Sequence, residues 1–253
     1  MRFFLEFSYL GTAYHGWQRQ PNALTVQEVL EGKMATLLGV DTLDLVAAGR
    51  TDAGVHARQM FAHFDWDADL PEDFVFRINA FLPEDIAVRN VHRVSEEAHA
   101  RFDATGRTYE YLLTQEKDPF RRDFACRVQA PLDFDLMNQA AEALIGFGDF
   151  KCFSRSNSDV KTFNCDVRHA HWEEREGVWV FTITADRFLR NMVRAVVGTL
   201  LEVGRGRLGV ADVKTIIKSR DRSEAGVSVP AKGLYLTGIT YPNTLFIHGQ
   251  GNR

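Results

Sequence analysis

The order in which two apolar periodicities succeed one another constrains this chain more than any single segment does. Phe3, Leu5, Phe7 and Tyr9 alternate as one face of a strand, because successive side chains of an extended chain point to opposite sides. Thr25 and Glu28 then form a capping box opening a helix whose stripe is Val26, Val29, Leu30, Met34 and Leu37. Residues 43–48 and 59–64 read as strands separated by the turn-rich GRTDAGVH, and a helix near 72–82 and a strand near 86–94 follow. The pattern is β-α-β-β-α-β. From 107–114 it begins again, with Tyr109, Tyr111 and Leu113 on one face of a strand, a helix at 134–146, and strands near 166–175 and 178–185. A strongly apolar helix at 188–203, a basic helix near 210–219 and a last strand at 233–240 complete the repeat with one helix added.

That order is the split, ferredoxin-like motif, which also underlies RNA-recognition modules. The expectation is an α+β protein of two βαββαβ halves, residues 1–105 and 106–241, with a mixed, largely antiparallel sheet flanked by helices. Residues 242–253 read as a loosely held tail. A chain of 253 residues, 45% hydrophobic and 25% charged, is long enough to give each half a real core.

Three cysteines, Cys126, Cys152 and Cys165, form no CxxC pair and cannot all pair within one chain, which points to a reducing compartment. No apolar run approaches the ~18 residues of a membrane helix. The start, MRFFLEFSYLGTAYHGW, mixes charge and glycine too early for a signal peptide, so a cytoplasmic protein without a membrane partner is expected. The net charge of −4 hides an asymmetry: residues 1–105 carry 9 Lys/Arg against 16 Asp/Glu, and the remainder 21 against 18. Residues 187–222 hold nine cations (among them Arg190, Arg194, Arg205 and Arg207) against Glu202, Asp212 and Asp221. A local excess of that size binds phosphates even on an acidic protein, although two solvated helix faces would look the same.

The segment Gly49-Arg50-Thr51-Asp52-Ala53-Gly54-Val55-His56 sets one carboxylate between glycines on a connection between apolar strands. Glycines there allow a ligand to approach the backbone, whereas the ordinary reading of the aspartate is a turn cap. Arg50, two residues earlier, and Arg194, interrupting an apolar helical face, are candidates to hold that carboxylate ionised, since a cation within about 4–6 Å lowers an aspartate pKa. Arg194 also reads as a snorkelling surface residue. Tyr109 or Tyr111 could stack on a base or simply pack. His56, His169 and His171 fit neither a hydrolytic triad nor a metal set, for want of a paired nucleophile or a third ligand. Gly204, Gly206 and Gly209 spell G-x-G-x-x-G, but after a helix rather than a strand, so a helix end followed by a cationic loop explains them better.

GRTDAGVHA (49–57), GWQRQ (16–20), NAFLPEDIAV (79–88), Ala100-Arg101-Phe102, RTYEY (107–111), Met192-Val193-Arg194 with Val197-Gly198, and KGLYL (232–236) together resemble the tRNA pseudouridine synthase A family. The blocks run in the family's order over residues 3–241. The resemblance implies the pseudouridine synthase fold, with a central cleft between the halves, and a homodimer whose L-shaped tRNA touches both protomers. It implies isomerisation of uridines 38, 39 and 40 of the anticodon stem-loop, without metal or organic cofactor. By motif it makes Asp52 the catalytic aspartate, stacks Tyr109 on the uracil, pairs Arg194 with Asp52 and uses Arg50 to displace the target nucleotide. Arg19, Arg205 and Arg207 are expected to touch RNA. One departure is Phe163-Asn164-Cys165 after Lys161-Thr162, where many members carry an arginine.

The chemistry calls for such residues. Breaking N1–C1′, turning the uracil and rejoining it through C5 require a base taken out of the stack and held while detached. An ionised carboxylate near C1′ has two routes, attack on C1′ or removal of the C2′ proton to give a glycal, and the sequence accommodates both. Tyr109 is open to service as the base for the C5 proton or as a stacking wall only. Two competitors stand beside this reading. A non-catalytic RNA-binding protein with two RRM-like halves leaves Asp52 without a role and lacks the aromatic RNP string. A nucleotide-dependent oxidoreductase rests only on the misplaced glycines.

Overall fold

Alternation at the start of the chain becomes strand β1 (Arg2–Tyr9), in which Phe3, Leu5, Phe7 and Tyr9 are buried as the pattern requires. Phe4, on the opposite face, is buried as well, because Tyr241 and Phe246 close over it with ring centroids at 5.2 and 6.2 Å. The computed structural model describes residues 1–155 and 160–247. It divides into two compact units, Met1–Thr105 with Leu236–Arg253, and Gly106–Tyr235. No helix among the described residues is long and apolar enough to cross a membrane.

The first unit continues with α1 (Val26–Leu38), β2 (Val46–Ala47), β3 (His56–Asp65), α2 (Phe74–Phe81) and β4 (Ile86–Val94). β1 is the central strand, antiparallel to both β3 and β4, and β2 pairs with β3, so the order β4-β1-β3-β2 is that of a split βαββαβ unit. At the start of α1 the Thr25 hydroxyl accepts from the Glu28 amide, and at its end Gly39 takes the left-handed conformation at φ 71°. β2 is shorter than the apolar run 43–48 suggested. The Leu45 amide donates to the carboxylate of buried Glu31 and the Leu45 carbonyl accepts from Gln27, so side chains of α1 satisfy what a longer ladder would have.

The second unit holds β5 (Gly106–Thr114), β6 (Cys126–Arg127), α3 (Phe134–Glu142), β7 (Val167–Arg175), β8 (Val178–Ala185), α4 (Met192–Gly204) and α5 (Val210–Ser219). β8 lies between β5 and β7, antiparallel to both. Glu176 and Gly177, at φ 52° and 72°, make the β7–β8 turn, in keeping with the positive-φ pair of a tight hairpin. Helix α4 begins four residues later than the apolar stretch at 188 suggested, because Asn191 adopts φ 66° and donates through Nδ2 to Ser228 Oγ. α3 ends at Glu142 rather than 146, and Gly146 is at φ 90°. The two-residue β6, parallel to β5, gave no sequence signal.

Strand β9 (Leu234–Thr240) starts in the second unit and finishes in the first, next to β3. Where the sequence assigned everything from 106 to 241 to the C-terminal half, the compact units group the residues from Leu236 onward with Met1–Thr105. Part of the expected tail is held by hydrogen bonds. Residues 242–247 turn back on β4, with the Ser95 amide donating to the Leu245 carbonyl and the Ile247 amide to the Arg93 carbonyl. The remainder of the expected tail, 248–253, lies outside the described residues.

Because Phe246 packs on Phe4, His92 and Tyr241, Phe246→Ala is expected to lower stability by about 1–3 kcal/mol, less than a fully buried phenylalanine would. Urea denaturation measures it. An unchanged midpoint would show that this segment contributes nothing to the first unit.

Candidate active site

The loop that carries Asp52 joins β2 to β3 and lies against the stretch between β1 and α1. The Trp17 amide donates to the Thr51 carbonyl at 3.2 Å, the Gly54 amide to the Tyr14 carbonyl at 3.3 Å, and the Val55 amide closes the turn on the Asp52 carbonyl at 3.2 Å. Main chain meets main chain here at the limit of contact. A Cβ on Gly16, which has φ 93°, would stand 2.5 Å from the Thr51 oxygen, and one on Gly11 would stand 2.0 Å from the Val55 oxygen. Only residues without side chains fit at these two places.

Side chains complete the support. His56 is fully buried and its Nδ1 accepts from the Gly11 amide at 3.0 Å, which places the proton of the neutral ring on Nε2. The Tyr14 hydroxyl donates to Asp85 Oδ1 at 2.6 Å, and burial together with that carboxylate pushes the phenol above its ordinary range. Asp85 also accepts the Leu10 amide through its carbonyl. The hydroxyls of Tyr9 and Thr51 are 2.8 Å apart. Above this support Asp52 is half-buried, flanked by exposed Arg50 and Ala53. The loop thus presents a carboxylate and a cation at the surface from a backbone held on both sides.

The other two candidates belong to the second unit. Tyr109 is half-buried on β5, opposite Ile183, with its ring edge-on to Phe188 at 5.2 Å. Tyr111 is buried, donates to the Pro230 carbonyl and has its phenol pKa raised by burial. Of the two tyrosines, only Tyr109 keeps an accessible face. Arg194 is half-buried in the first turn of α4, where its Nε donates to the Val229 carbonyl at 2.7 Å while the Val229 amide donates back to the Arg194 carbonyl. A Cβ on Gly198 would stand 1.9 Å from the Val227 oxygen, so α4 presses on that segment and seats the arginine. It does not snorkel.

The cations expected to meet RNA are more engaged than their formal charge suggests. Arg19 pairs at 2.7 Å with Glu31, whose side chain is 4% exposed. Arg205 and Arg207 both pair with Glu202, at 2.5 and 3.1 Å. Gly204 closes α4, and a Cβ on it would meet Met137 Sδ at 2.4 Å, so that glycine serves helix packing. His169 and His171 lie exposed on β7 with ring centroids 6.3 Å apart. Among the described residues no group of three or more His, Cys, Asp or Glu side chains is placed to hold a metal ion. Burial pushes the Cys152 and Cys165 thiols up to about 12, which suits packing rather than nucleophilic work. At the Phe163-Asn164-Cys165 departure, the Phe163 carbonyl accepts from Phe150, the Cys165 amide donates to Gly148, and Lys151 stands over the Phe163 ring at 5.7 Å.

Sequence patterns singled out Asp52 and its neighbours but gave Gly11, Gly16, Tyr9, Tyr14 and Asp85 no place at the site, although Gly16 and Asp85 lie in segments that carry the resemblance. Two glycines between a strand and a capped helix, facing a loop that itself contains glycines, were the available signal.

The tRNA pseudouridine synthase family matches residues 7–103 and 140–242. The chain belongs to that family. Proteins named tRNA pseudouridine synthase A resemble it over nearly their whole length: that of Bacteroides fragilis is 52% identical over 248 residues, 97% of this chain and 98% of the relative. The Parabacteroides distasonis protein is 50% identical with the same coverage, and that of Acetivibrio thermocellus 40% identical over 94% of this chain and 98% of its own. The synthase is thus an isomerase of tRNA uridine, and a non-catalytic pair of RRM-like halves finds no support.

In this synthase Gly16→Ala forces a side chain into the Thr51 carbonyl at positive φ. Activity is expected to fall about 100-fold, the order that a displacement of about 1 Å at a catalytic group produces, measured as tritium release from tRNA labelled at uridine C5. Wild-type turnover in Gly16→Ala would show that the loop tolerates movement.

Proposed function

We propose that the synthase converts uridines 38, 39 and 40 of the tRNA anticodon stem-loop to pseudouridine, with Asp52 as the catalytic carboxylate. The observation that carries this reading is the half-buried Asp52 on a loop whose main chain is held by Tyr14 and Trp17. A group that must act at C1′ of a flipped nucleotide gains most from such preorganisation. The reaction breaks N1–C1′, joins C5 to C1′ and, overall, moves a proton from C5 to N1, so it balances without oxidant or reductant. Tyr109, with one accessible face, offers a wall for the uracil. Arg50, exposed beside Asp52, fits the role of entering the space the nucleotide leaves, and Arg194 completes the substrate-binding set.

The enzyme acts as a homodimer in the cytoplasm, with each tRNA contacting both protomers. Arg19, Arg205 and Arg207 contribute to phosphate binding by exchanging one anionic partner for another.

Asp52→Ala is expected to abolish tritium release from C5-labelled tRNA while leaving tRNA affinity within a few-fold of wild type, because phosphate contacts dominate affinity. Release by Asp52→Ala at the wild-type rate would overturn the assignment. Arg207, 68% exposed, is the better probe of phosphate contact. Arg207→Ala is expected to weaken binding and reduce the slope of log affinity against log salt by about one. Titrations at several salt concentrations decide it, and an unchanged slope would remove Arg207 from the interface.

A further inference from the structure

We propose that Tyr9 is a positioning residue for Asp52, acting through the hydroxyl of Thr51; the proposal rests on the reading of Asp52 as the catalytic carboxylate. Tyr9 is 3% exposed and Thr51 9% exposed, and their hydroxyls meet at 2.8 Å across 42 residues of sequence. Thr51 is the residue immediately before Asp52. Its carbonyl is taken by the Trp17 amide and its hydroxyl by Tyr9, so main chain and side chain of the residue are each held at one point. Threonine is branched at Cβ and has few χ1 choices. A bond to its hydroxyl therefore restrains the backbone as well, and with it the direction in which Asp52 leaves the loop.

The sheet is shaped to deliver Tyr9 to this place. Along the β1–β3 ladder Phe7 pairs with Met60, but Tyr9 pairs with Ala57, so two steps on β1 are matched by three on β3. An unbroken antiparallel ladder would set Tyr9 opposite Arg58. On the other edge of β1 the register shifts as well, between Glu6–Asn90 and Phe7–Val88. Bulges of this kind turn a strand end and re-aim its side chains. The Tyr9 ring is then held by Phe7 at 6.1 Å, which itself packs on Trp17 at 5.4 Å. A register irregularity on both sides of one strand, ending in a buried hydroxyl pair next to the reacting carboxylate, is more than core packing of a tyrosine requires.

The test uses the full-length enzyme and tRNA labelled at uridine C5, comparing wild type, Tyr9→Phe, Thr51→Val, Thr51→Ser, the double variant Tyr9→Phe/Thr51→Val, and Asp52→Ala. Tyr9→Phe and Thr51→Val are expected to lower kcat about 10- to 100-fold, with KM and tRNA affinity within about two-fold of wild type. Thr51→Ser, which keeps the hydroxyl, is expected to retain most of kcat. The double variant is expected to be no slower than the slower single one, as for two members of one interaction. Wild-type kcat per folded molecule in Tyr9→Phe, with only a lower melting temperature, would reduce the pair to a structural role and overturn the proposal. Losses that add in the double variant would overturn it too. Should Tyr9→Phe not fold, Thr51→Val matching Thr51→Ser in kcat would do the same. Asp52→Ala separates the levels: activity there defeats the catalytic assignment itself, whereas its inactivity beside an unimpaired Tyr9→Phe defeats the positioning role alone.

Discussion

Everything that gives Asp52 a defined place depends on a contact between two pieces of main chain with no side chain between them. At Gly16 and Gly11 the backbone comes so close to the Thr51 and Val55 carbonyls that a single methyl group would overlap them. Other elements of the first unit converge on the same stretch. Helix α1 starts on it, with the Val26 and Gln27 amides donating to the Gly16 and Trp17 carbonyls. The turn before β4 reaches it through Asp85, and the buried ring of His56 caps Gly11 from the start of β3. A loop in this position is part of the core in all but its tip. Loops carry function when a rigid scaffold presents them, and in this unit the scaffold and the loop share their hydrogen bonds.

Periodicity revealed the fold because most of its elements bury one face and expose the other. Strands β1, β3, β4, β5, β7 and β8 and helices α1 to α5 correspond to segments visible as patterns of apolar residues, and their repeated order implied the split α+β arrangement that the first unit adopts. The pattern ran out where side chains or unusual backbone dihedrals replaced regular hydrogen bonding. Glu31 is an acid within a helical stripe, and no local rule announces that it will be buried to serve the Leu45 amide and pair with Arg19. Asn191 delays α4 by adopting a left-handed conformation that asparagine tolerates but does not require. The segment 242–247 looks featureless in sequence because two of the rings that hold its anchor Phe246, those of Phe4 and His92, lie more than 150 positions away.

The candidate site was legible to a different depth. The glycines around Asp52 read as room for a ligand beside the backbone, but a side chain on Gly49 would meet nothing within 4 Å, and the close main-chain contact is made by Gly11 and Gly16, between β1 and α1. Arg194 stood out as a cation on an apolar helix face, and it is seated by the Val229 carbonyl. Formal charge was the least informative guide. A count over 187–222 treats Arg205 and Arg207 as available, whereas both share one carboxylate. Pairing across a helix end depends on rotamers and distance, which a sum of charges does not contain.

The course of β9 bears on how the molecule comes into being. Its later residues and the turn beyond it belong to the first unit, yet they follow the whole of the second in the chain. As the polypeptide emerges during synthesis, the first 105 residues must wait for 130 more before the strand beside β3 and the ring that covers Phe4 are available. Until then β3 lacks a neighbour along part of its edge and an aromatic face lies open to water. Closure of that unit is therefore an event of high sequence separation, slow for the entropy it must overcome. The nascent chain carries the Asp52 loop long before the unit that bears it is complete.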